Sequence, residues 1–154
     1  MPMIDLYPAL GFGFPDAVDV MVFAARVVVG LMFFLSGFYK LFTRDSALKM
    51  AKTMVEAGIA APRQTARFVS VCELVFGALL VMGLLTSLAA LVLFVISTVA
   101  LITVASKSVE GTSFGYRLSS YLDLPETLLM LVLAALIVTG PGLYSLDTAL
   151  FAGR

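Results

Sequence analysis

The chain has 154 residues, 61% hydrophobic and 13% charged, with a formal net charge of zero. A soluble domain carries about 25% charged residues, so half that share points to an integral membrane protein, and the length suits one compact helical unit. The absence of histidine removes the usual ligand of haem, copper, zinc and non-haem iron, and the single cysteine, Cys72, excludes an internal disulfide or a C-x-x-C pair.

No metal site is therefore expected, and eight scattered methionines read as apolar packing. Nothing points to nucleic acid, since no basic block or aromatic–basic interleaving occurs. The leading residues 1–17 lack a basic n-region, carry Asp5 and Asp16, and are broken by prolines and glycines. The first span is accordingly expected to act as its own insertion signal.

Four spans are expected, at about residues 18–42, 66–85, 87–105 and 124–139, each near the roughly 20 residues that a hydrocarbon core requires. The fold class is all-α, an integral membrane four-helix bundle forming one domain. In the first span Arg26, Gly30, Phe33, Gly37 and Lys40 share one helical face. A cation inside a bilayer is costly unless it faces protein or water, so this face looks inward, and its glycines admit a neighbouring backbone. Residues 46–57 read as an amphipathic helix lying in the membrane interface, capped by Asp45 or Ser46 and ended by Gly58 before Pro62.

In the second span Ser70, Glu73, Gly77 and Leu80 or Val81 form a matching face. Residues 85–87 are the only connection to the third span, which requires an antiparallel hairpin. The third connection, residues 106–123, is apolar for a loop, with Phe114, Tyr116 and Tyr121, and can fold over the mouth of the bundle. The last span starts at Asp123-Leu124-Pro125-Glu126, where acids and Pro suit a first helical turn, and stops at Gly140-Pro141-Gly142.

Orientation follows from the cations. Lys40, Arg44, Lys49, Lys52, Arg63 and Arg67 flank the first long connection, Lys107 and Arg117 lie in the third, and only Arg154 falls on the other side. Both long connections are thus expected in the cytoplasm and both termini outside.

Glu73 lies roughly 10 Å deep from the cytoplasmic end. Arg26 and Lys40 are its two candidate partners, and Glu126 is a candidate fourth member of the polar set. Two readings stay open. The charges can neutralise one another and set helix register, or they can form a proton-linked polar site, since intramembrane ionisable groups often mark ion, proton or substrate pathways. Tyr39, Ser70 and Tyr121 are candidate ligand-lining residues. Gly30, Gly37 and Gly77 are candidate helix-packing positions.

These features together resemble the DoxX family of small four-helix bacterial membrane proteins. The resemblance rests on R-x3-G-x6-G-x2-K at Arg26, Gly30, Gly37 and Lys40, on Glu73 and Gly77, and on the Gly-Leu-Leu-Thr turn beginning at Gly83. Glu126 and the tail GPGLYSLD at residues 140–147 complete it. The resemblance implies an inner-membrane subunit or anchor of a quinone-linked or thiol/oxidative-stress redox complex. Such a subunit would not be catalytic alone, would bind no tight cofactor except a candidate quinone, and would meet a soluble redox protein and membrane lipids. The alternative is a small homo-oligomeric transporter or a lipid- or small-molecule-binding bundle.

Overall fold

The computed structural model describes residues 17–102, 125–142 and 144–151. The described elements are all helices: α1 (Ala17–Phe42), α2 (Arg44–Glu56), α3 (Pro62–Met82), α4 (Thr86–Ala100), α5 (Pro125–Thr139) and α6 (Leu146–Phe151). The third connection, with Phe114, Tyr116, Tyr121 and Asp123, lies outside the described residues.

Helix α1 carries Asp19 in its first turn and Lys40 in its last, each complementing the helix dipole. Helix α2 starts at Arg44, two residues before the expected residue 46, so neither Asp45 nor Ser46 is its cap. Thr43 is its N-cap, in an extended conformation and without a side-chain bond, and its carbonyl accepts the first helical bond from Ala47 N at 3.0 Å. Helix α3 begins at Pro62, four residues earlier than the expected residue 66, since proline suits the first helical position. It also stops earlier than expected. Gly83 is left-handed with φ 69°, and the N–H groups of Gly83 and Leu84 return to the carbonyls of Leu80 and Leu79. The turn to α4 therefore occupies residues 83–85 rather than 85–87, with Leu85 also left-handed.

Among the described residues, helices α1 and α3 make the most extensive contact, and they run antiparallel. Three glycines permit it. A Cβ on Gly77 would lie 2.5 Å from Phe34 N, one on Gly37 would lie 2.6 Å from both Leu74 N and Ser70 O, and one on Gly30 would lie 2.9 Å from Val81 N. Backbone atoms cannot yield as a flexible side chain can. Gly77→Val is expected to force the helices apart and cost about 3 kcal/mol or more. Thermal unfolding in detergent checks this, and an unchanged midpoint would show that the crossing can relax.

Helix α4 packs against both α3 and α5, and α5 also touches α1. The core they enclose takes Val29 and Phe33 from α1, Leu80 from α3, Ala89, Ala90 and Leu93 from α4, and Leu133 and Leu136 from α5. The outer surface is equally apolar: Met21, Phe68 and Val138 are 70%, 70% and 86% exposed. The core helix of a soluble protein would be mostly buried. In the most apolar stretches of α1 and α3 only 28% of residues are buried, so both helices present apolar surface outward over a length that crosses a bilayer.

Candidate functional site

The α1–α3 crossing brings Lys40 to Glu73. Lys40 Nζ donates to both carboxylate oxygens, at 2.9 Å to Oε1 and 2.7 Å to Oε2, and Ser36 Oγ donates to Oε2 at 3.1 Å. The side chains are 25% and 7% exposed respectively, so the carboxylate is sealed while the ammonium reaches an opening. Of the two partners left open for Glu73, Lys40 is the one it meets. Ser36 was not anticipated, although it lies one turn before Lys40 on the same helix face.

The opening is a cavity of about 650 Å³ between the end of α1, the helix α2 and the start of α3. Its lining includes Lys40, Arg44, Arg63 and Arg67 as cations, with Leu48, Met50 and Ala66 among its apolar contacts. Ser70 also lines it, and its hydroxyl donates to Ala66 O at 2.7 Å within its own helix. In the sequence these arginines speak only to orientation, because nothing local shows that α2 folds back beside α3.

Arg26 does not join this site. It lies fourteen residues from Lys40 on α1, about 21 Å along the axis. It is 1% exposed at the opposite end of the molecule, where Nη1 donates to Pro141 O at 2.5 Å and Nη2 donates to Tyr144 O. Its guanidinium stacks over Phe23 with 5.4 Å to the ring centroid, and Asp147 supplies the opposing charge. Asp147 in turn accepts from Leu85 N at 2.8 Å and Thr86 N at 2.9 Å, so a carboxylate from the tail caps α4 across more than sixty residues. The expected single polar set is therefore two clusters, one at each end of α1.

The remaining expected residues separate. Tyr39 is 56% exposed, packs edge-on against Phe38, and is not part of the cavity lining. Glu126 sits in the first turn of α5, and the partners of Lys40 and Glu73 among the described residues are each other and Ser36. Tyr121 lies outside the described residues. Cys72 is partly buried and is a free thiol.

An all-α chain with two long, outward-apolar helices, joined by a buried lysine–glutamate salt bridge, defines a small multi-pass membrane protein. The DoxX family model matches residues 21–106, more than half of the chain, and the chain belongs to the DoxX family. Membership and the two apolar helices together support an inner-membrane location. No curated protein and no solved structure matches the chain.

Proposed function

We propose that this DoxX-family chain is an inner-membrane subunit or anchor of a quinone-linked or thiol/oxidative-stress redox assembly, acting with a partner rather than as a catalyst alone. It crosses the bilayer four times, through α1, α3, α4 and α5, with α2 in the cytoplasmic interface and both termini outside. The clustering of Lys40, Arg44, Arg63 and Arg67 around one cavity supports that orientation.

The observation that carries the reading is the Ser36–Glu73–Lys40 site beside the cavity. A lipophilic molecule with a polar head needs apolar walls and one or two hydrogen-bond donors. Lys40 supplies the donor, and Leu48 and Ala66 supply wall. A bound membrane quinone would contribute a two-electron, two-proton couple. With no histidine and one cysteine in the chain, the electrons come from the partner. The protein's part is to orient the head and to hold a proton at Lys40 Nζ against the Glu73 carboxylate.

In the purified assembly, Glu73→Gln is expected to abolish quinone-dependent turnover while the variant stays folded. Full turnover in a well-folded variant would remove Glu73 from the mechanism. The cavity also favours a second reading, a lipid- or small-molecule-binding bundle, which predicts ligand retention by the isolated chain without any redox partner.

A further inference from the structure

The charge around the cavity is unbalanced. Lys40 is neutralised by Glu73, but Arg44, Arg63 and Arg67 line the same cavity and, among the described residues, no carboxylate does. No ion pair engages any of the three among the described residues, where the other pair is Lys52 with Glu56 on the α2 surface. Arg63 and Arg67 stand four residues apart on one face of α3, an arrangement of like charges that weakens a helix unless an anion lies between them. The first turn of α3, starting at Pro62, adds the positive end of its dipole. All three arginines are exposed at the mouth of the cavity, in reach of an arriving anion, and a neutral quinone head would not draw on their charge.

Guanidinium groups recognise phosphate through paired, charge-assisted hydrogen bonds. The apolar lining by Leu48, Met50 and Ala66 is suited to hydrocarbon. We propose that the cavity at the Lys40 end of α1 binds a phosphate group carried on an amphiphile, with Arg44, Arg63 and Arg67 on the phosphate oxygens and Leu48, Met50 and Ala66 against the apolar portion. The phosphate can belong to an anionic phospholipid of the surrounding leaflet or to a soluble compound that carries it on an apolar body. The proposal goes beyond the quinone reading and does not rest on it, because its polar contacts are the arginines and not the Lys40–Glu73 pair. The two ligands share the walls at Leu48 and Ala66 and would compete for the cavity.

The test uses the full chain in dodecyl maltoside, a detergent without phosphate. It is titrated separately with phosphatidylglycerol, with diacylglycerol of the same tails, and with inorganic phosphate. Native mass spectrometry reads retained lipid, and thermal unfolding reads stabilisation. Phosphatidylglycerol is expected to be retained and diacylglycerol not. Arg63→Gln/Arg67→Gln is expected to weaken retention by about tenfold or more, whereas Lys49→Gln/Lys52→Gln, outside the cavity lining, leaves it unchanged.

Competition by inorganic phosphate assigns the site to a soluble source, and lack of competition assigns it to the lipid. Equal retention of both lipids, equal loss in the two double variants, or no binding of either phosphate-bearing probe overturns the proposal. If the arginine double variant does not fold, Arg44→Gln carries the same comparison. The result is independent of quinone turnover, so either reading can fail alone.

Discussion

Arg26→Met is expected to be among the most destabilising single substitutions in this protein. The arginine is 1% exposed and donates to two backbone carbonyls, Pro141 O and Tyr144 O. Each bond from a charged donor contributes about 1.5–3 kcal/mol, and both bonds are part-buried, so the two carbonyls lose a donor that water replaces only in part. Methionine fills part of the volume and supplies no donor, so a loss of about 3–5 kcal/mol is expected. The damage should spread along a defined route. Residues 140–147 lose their anchor, Asp147 loses the neighbouring positive charge, and the α4 cap at Leu85 and Thr86 loosens. Thermal unfolding in detergent gives the magnitude, and hydrogen exchange at Leu85 and Thr86 gives the route. A loss below about 1 kcal/mol with unchanged exchange would contradict this account.

Lys40→Met is expected to cost about as much for a different reason. It leaves the Glu73 carboxylate, 7% exposed, with Ser36 as its remaining hydrogen-bond donor. Removing one partner of a buried pair costs about 3–5 kcal/mol, whereas replacing both by apolar residues is often neutral or stabilising. Lys40→Met/Glu73→Met should therefore recover most of the stability lost by Lys40→Met alone. Unfolding of the single and double variants measures this coupling, and a double variant as unstable as the single would show that the pair is not the dominant interaction. The double variant also separates the two roles left open by the sequence. A register device tolerates it with function intact, while a proton-holding site leaves a folded protein without quinone-dependent turnover.

Much of the architecture follows from local pattern. The long apolar run from Val18 to Phe42 acts over one continuous stretch, so the type and extent of α1 can be read directly. Pro62 and Gly83, by contrast, set the ends of α3 four and three residues before those that the apolar pattern suggests. The glycine face was legible for the same reason: Gly30, Gly37 and Gly77 repeat at helical spacing, and each would clash with the partner backbone if it carried a Cβ. That Glu73 has a basic partner on α1 was legible as well, because two inward faces each carry charge.

Which partner it takes was decided by tertiary structure. The α1–α3 register, set where Gly37 meets Ser70 and Leu74 and Gly77 meets Phe34, puts Lys40 beside Glu73 and sends Arg26 to the turn at Gly83. A shift of one helical turn moves a side chain by about 5.4 Å, enough to exchange one cation for another, and no single-helix pattern encodes that shift. The tail is the clearest case. Pro141, Tyr144 and Asp147 have no local signal for binding Arg26 or capping α4, since both contacts cross more than sixty residues and arise only when the ends of α1, α3 and α5 meet. The cationic cavity has the same origin. Arg44 and Arg67 belong to different helices, and only the fold of α2 against α3 gathers their charge at one place.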